Sequence, residues 1–138
     1  MASVKTDVSG LSAEISACLR DYVGEVEEVV KAAVDETAKE MVAEIRENAR
    51  QAFPDGTGEY AKSWTHKVDK SASRDGRYSR VAYAKGSAGS ISHLLEHGHA
   101  KVNGGTVPGR PHIAPAEKHA EERLPQRIKE GLRSGKVE

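Results

Sequence analysis

The chain has 138 residues, the size of one domain, and its 21 Lys+Arg are matched by 21 Asp+Glu, where a nucleic-acid-binding domain carries a basic surplus. Leu, Ile, Val and Phe make up about 18% of it, which is core-poor, yet the zero net charge argues for a folded chain rather than a disordered one. A single cysteine, Cys18, excludes an internal disulfide or a cysteine zinc site, and no apolar run approaches the ~18 residues of a membrane span.

Residues 1–10 are small and polar, lack the apolar core of a signal peptide, and read as a frayed lead-in. From Leu11 the apolar positions Leu11, Ile15, Leu19, Tyr22, Val26, Val29 or Val30, Ala33, Ala38, Met41, Ile45 and Ala49 recur at steps of three and four, which predicts one helix over 11–53. Unbroken, it would be about 60 Å long, more than the width of a compact domain of this size; Gly24 is where it would bend. Glu27–Lys31 and Asp35–Lys39 stand in the favourable i,i+4 order. The rest of the chain offers few large apolar residues to cover this stripe, so Val30 and Ile45 are expected to meet a neighbouring subunit. Charge points the same way: residues 1–51 hold 6 basic and 11 acidic side chains, and residues 52–138 hold 15 and 10. That division suits a head-to-tail ring, or, equally, solvated helix faces.

The breakers Phe53-Pro54-Asp55-Gly56-Thr57-Gly58 end the helix, and one further helical turn fits 59–62. Trp64, His66 and Val68 then alternate with polar residues as a strand, Asp75-Gly76 signals a turn, and residues 78–84 read as the returning strand. Val81 and Tyr83 are expected on one face, with Tyr83 against Trp64. Residues 109–114 are a weaker candidate for a third strand.

Residues 86–90 read as a flexible link, and Ser90 or Ser92 as the cap of a short helix with Ile91, Leu94 and Leu95 on one side. Gly98 stands where a left-handed closing residue belongs. A loop over 99–109 follows, then Arg110-Pro111 forces an extended entry into a last helix that starts near Pro115. Ala116, Ala120, Leu124, Ile128 and Leu132 form its apolar stripe. Pro125 is expected to kink or split it, and residues 134–138 to be a tail.

Glu96-x-Gly98, then Gly109-Arg110-Pro111-His112-Ile113-Ala114-Pro115-Ala116 and a charged amphipathic helix, resembles the neck or tail-completion family of long-tailed bacteriophages, to which the lambda tail-completion protein is related. Upstream, Thr57-Gly58 with Ser63 resembles the opening of that family's sheet region, so the likeness runs over about residues 57–130. Here His99 stands where a Thr usually follows Glu-x-Gly, and His112 where an aromatic usually follows Arg-Pro. The resemblance implies a structural role, with Glu96, Gly98, Arg110, Pro111 and Pro115 shaping the joint between the two helices and with no cofactor, metal or catalytic residue. It also implies a homo-oligomeric ring, expected as a hexamer, that meets the connector, stopper and tail-terminator proteins around the genomic DNA. Such a protein is assembled in the host cytoplasm, resides in the virion neck and touches no membrane.

Read from the residues alone, Glu96 is either a carboxylate accepting hydrogen bonds from backbone or Arg110, or an ordinary exposed side chain. His93-Leu94-Leu95-Glu96-His97 matches the H-x-x-E-H order of inverted zinc peptidases, with His119 or Glu121 as a conceivable third ligand; the immediate helix stop at Gly98 counts against that reading. His97, His99 and His112 could form a pH-sensitive or metal-binding cluster, or be solvated. Arg74, Arg77 and Arg80 could touch DNA phosphates or an acidic neighbouring subunit. The fold expected is α+β: a long N-terminal helix, a small antiparallel sheet built on the 64–84 hairpin, a short middle helix and a C-terminal helix.

Overall fold

A proline-free run with apolar side chains at the helical period forms one helix of 45 residues, α1 (Val8–Ala52). The computed structural model describes residues 8–74 and 76–134. The lead-in over 1–7, Asp75 of the Asp-Gly turn and the tail at 135–138 lie outside the described residues. The helix runs through Gly24 without interruption. It closes where the Phe53 N–H donates to the Ala49 carbonyl, just before Pro54.

The second half of α1 is the platform for everything else. Along it lies the last helix, α5 (Ala114–Ser134), running antiparallel. Asn48 Nδ2 donates to the His112 carbonyl, His119 meets Glu44, Arg123 and Arg127 meet Glu40, and Arg127 donates to Thr37. At the far end the helices touch so closely that a Cβ at Gly131 would stand 2.6 Å from Val29 Cγ1. Pro115 occupies the first turn, where its missing N–H costs nothing. Pro125, expected to kink or split the helix, instead sits inside an unbroken one. Its ring faces solvent, and the carbonyl it leaves without a donor belongs to exposed Glu121, within reach of water.

A short helix, α2 (Glu59–Ser63), leads into β1 (Trp64–Val68), which pairs antiparallel with β2 (Arg80–Ala84). The register sets Trp64 opposite Ala84 and Thr65 opposite Tyr83. Directly opposed residues share a face, so Trp64 packs with Ala84 against α1, while Tyr83 and Val81 fall on the other face with Thr65 and Lys67. The expected Trp64–Tyr83 contact is therefore replaced, and the Lys67 ammonium lies 4.8 Å from the centre of the Tyr83 ring. The two strands are joined by a connection over residues 69–79. Asp69 Oδ1 accepts the Ser71 N–H at 3.0 Å and starts a helical turn, α3 (Lys70–Arg74), between the strands.

The middle helix, α4 (Ala88–His97), begins earlier than expected and absorbs most of the supposed flexible link. Ser87 is its N-cap; the Ser90 and Ser92 hydroxyls donate one turn back, to the Ser87 and Gly89 carbonyls, and cap nothing. Residues 99–109 are mostly a second hairpin, in which β3 (Gly98–Ala100) pairs antiparallel with β4 (Thr106–Pro108). Residues 109–114 join neither sheet among the described residues.

Val42, Ile45, Trp64, Ala84 and Ala116 form the core, with Met41, Tyr60 and Ile113 packed around it. Ile45 has no exposed surface, so the expectation that it meets a neighbouring subunit is corrected: α5 and the β1–β2 hairpin of its own chain cover it. Val30 is half-buried, beside Lys31 and Tyr78. The stripe thus divides. From Val29 onward its buried members belong to the fold, whereas Leu11, Ile15, Leu19 and Tyr22 remain 48 to 63% exposed.

Candidate assembly site

Helix α4 delivers Glu96 to the entry of α5, and the geometry there follows from one carboxylate meeting three amides. Glu96 Oε2 accepts the N–H groups of His112 at 2.8 Å and Ile113 at 2.9 Å; Oε1 accepts that of Ala114 at 2.9 Å. These amides open a helix and have no carbonyl one turn back to bond. Burial pushes the Glu96 carboxyl up, but the three amides and the neighbouring His112 ring outweigh it and hold it below the ordinary carboxylate range. Both oxygens accept backbone N–H groups, and Oε2 also lies 3.0 Å from the His112 ring nitrogen Nδ1; the alternative donor, Arg110, points elsewhere.

Two glycines let the backbones approach. Gly98 has φ 87° and ψ 171°, a conformation open essentially to glycine alone, and differs in ψ from the left-handed helical closure expected there. A Cβ on Gly98 would stand 2.5 Å from the Val107 carbonyl oxygen, and one on Gly109 would stand 2.5 Å from the His97 carbonyl carbon. The Arg110 N–H then donates to the Leu95 carbonyl at 2.8 Å, tying the segment that enters α5 to the end of α4.

His112 is fully buried, and its ring is set edge-on to Phe53, Tyr60 and Trp64. Nδ1 lies 2.8 Å from the Arg110 carbonyl, which can only accept, so Nδ1 carries a proton; in the neutral ring the Tyr60 hydroxyl donates to Nε2 at 2.7 Å. His112 thus occupies the position of the usual aromatic as a packed ring with both nitrogens satisfied. It forms no cluster with His97 and His99, which are exposed. Arg110 reaches the other way: its guanidinium donates to the Ala52 carbonyl at 2.6 Å and lies 5.4 Å from the centre of the Phe53 ring, clasping the end of α1. Replacing Arg110 with alanine should cost about 1–2 kcal/mol for one charge-assisted hydrogen bond and an exposed cation–π contact. The check is a lower urea midpoint with an unchanged slope. Pro111 and Pro115 are exposed on either side of this joint and act through backbone geometry.

The zinc-peptidase pattern is dissolved by the same geometry. A carboxylate with both oxygens held by amides is no general base, His93 and His97 face solvent, and no group of three or more His, Cys, Asp or Glu among the described residues could hold a metal ion. The basic hairpin is divided too. Arg80 Nε and the Tyr78 hydroxyl both donate to Asp35 Oδ1, each at 2.5 Å, so Asp35 turns to β2 and away from the expected pairing with Lys39. Burial pushes the Asp35 carboxyl up, yet those two donors outweigh it and hold it low.

The other feature open to a partner is the first half of α1. Helix α5 reaches Val29 and stops at Ser134, so the turns from Val8 to Glu25 extend past it by roughly 27 Å at 1.5 Å per residue. Their stripe of Leu11, Ile15, Leu19 and Tyr22 continues the line that α5 covers further along. Asn48 and Tyr60 also support the joint, through the His112 carbonyl and the His112 ring, and nothing in the local sequence pattern marks either of them.

A family model described as "Bacteriophage HK97-gp10, putative tail-component" matches residues 13–98. The matched stretch takes in most of α1, the first hairpin and α4 through Glu96-x-Gly98, and ends before Arg110-Pro111. No curated protein and no solved structure matches the chain. No helix among the described residues is long and apolar enough to cross a membrane.

Proposed function

The chain belongs to the HK97-gp10-like family of bacteriophage tail components, and from that premise we propose that it completes the tail at the neck, joining it to the DNA-filled head. As a tail component it is a structural protein of the virion, in a family of structural proteins rather than enzymes. In the proposed arrangement identical copies close into a ring, expected to have six members, around the path of the genomic DNA. Its neighbours in that arrangement are the connector, stopper and tail-terminator proteins.

The observation that carries this reading is the uncovered stripe on α1, where Leu19 and Tyr22 are 59% and 63% exposed in a chain that has few large apolar residues to spare. A monomer gains nothing from keeping such a surface in water; a ring member buries it. The test is a phage lacking this gene. Filled heads and separate tails that join when the purified protein is added would support the neck role, and joined, infectious particles made without it would overturn that role. Mass measurement of the isolated assembly gives the copy number.

A further inference from the structure

The β1–β2 hairpin has two faces; one is packed on α1, and on the other Thr65 and Tyr83 are half-buried while Lys67 and Val81 are exposed. Trp64 and Ala84 lie in the core on α1, while Thr65, Lys67, Val81 and Tyr83 face outward, with Val81 40% exposed. The segment carrying this face, residues 60–86, holds seven Lys and Arg against two Asp, and of the seven Arg80 is turned to the inner face and Asp35. The uncovered half of α1 is its complement. Residues 8–28 hold five Asp and Glu against one Arg, and the helical period sets Glu14, Asp21 and Glu25 along one flank of the apolar stripe.

These two surfaces cannot meet within one chain. Helix α1 is continuous, and its second half lies under the inner face of the hairpin, so its first half extends away and has no bend with which to return over the outer face. We propose that the first half of α1 of one copy lies across the outer face of the β1–β2 hairpin of the next, with Leu19 and Tyr22 on Val81 and Tyr83 and the acidic flank along Lys67 and its basic neighbours. The contact joins two different surfaces, so every copy offers one of each and the contact repeats, as a ring requires. It also gives the hairpin a helix on both faces, the arrangement that shields a two-stranded sheet too small to stand alone. The proposal rests on the reading of the protein as an assembly of identical copies and names the surfaces that join them.

The test uses the full chain in two exposed-site variants, Leu19→Asp and Val81→Asp, with Lys67→Glu as a second change to the receiving face that leaves the strand interior alone. Circular dichroism should show each folded. By light scattering over a concentration series, each variant alone should associate at least about tenfold more weakly than the unaltered protein. An equimolar mixture of the Leu19 and Val81 variants should regain association, but only as a two-chain species, because one intact helix then meets one intact face. Added salt should weaken the contact of the unaltered protein. Normal association of both receiving-face variants, a mixture that regains nothing, or an unaltered protein that stays monomeric throughout would overturn the proposal. The gene-deletion phenotype is scored separately, so this contact can fail while the neck role stands.

Discussion

Replacing Glu96 with alanine should remove roughly 2–4 kcal/mol of stability, because one buried and two part-buried amides at the start of α5 lose their acceptor at once and a buried unsatisfied group costs about 1–3 kcal/mol, the part-buried ones less. Against a total of about 5–15 kcal/mol for a domain, that loss is a large share of the stability. Glu96→Gln is the more informative variant. It keeps the shape but presents an NH2 group to at least one amide N–H, so it should lose less than alanine and more than a surface change. The acid limb separates the roles. The folded carboxyl sits below its ordinary value near 4.5, so the stability it contributes is fully present above that value and is lost as pH falls through the lower, folded value. Urea unfolding between neutral pH and the acid range should therefore be steeper in pH for the native protein than for Glu96→Gln. Identical pH dependence in the two would show that the carboxylate charge contributes nothing.

Ile45→Lys should abolish folding altogether. Ile45 has no exposed surface and packs among Val42, Trp64 and Ala116, so the lysine would bury an unpaired charge and lose the packing of the isoleucine. A cost of roughly 4 kcal/mol or more is expected. Leu19→Asp, in the same stripe but 59% exposed as leucine, should leave the helical signal and melting transition of the monomer nearly intact. A folded, soluble Ile45→Lys protein would show that the second half of α1 is not core.

The contrast between those two positions shows where the sequence was legible. Period and breakers were enough for the long helix, the strand at Trp64, the returning strand and the amphipathic last helix, because each signal is local. They could not show where along α1 the cover stops, since that depends on where α5 lies. Counting large apolar residues also undervalued alanine. Ala33, Ala49, Ala84 and Ala116 are buried, and small side chains let helices and strands approach until a few large residues suffice. The face of Tyr83 was misjudged because alternation gives two faces without saying which is inside; the register opposite Trp64 decides it. At the joint, Glu96 was visible as a candidate, but its three partners lie 16 to 18 residues away, across a hairpin whose strands are only three residues each. Strands that short leave almost no periodic trace.

The antiparallel seating of α5 on α1 also dictates an order of events on the ribosome. The bond from Asn48 to His112 spans 64 residues and that from Arg127 to Thr37 spans 90, so α1 is covered by an element made well after it. While residues 114–134 remain in the exit tunnel, the part of the α1 stripe that α5 covers is bare, including Val29 and Ala33. Closing so wide a loop is slow compared with forming the helix, and neighbouring chains on one polysome carry the same bare stripe at high local concentration. Emergence of α5 is thus the event that converts a sticky helix into a subunit with only its first turns uncovered, and truncations that shorten α5 should favour aggregation during synthesis over orderly assembly afterwards.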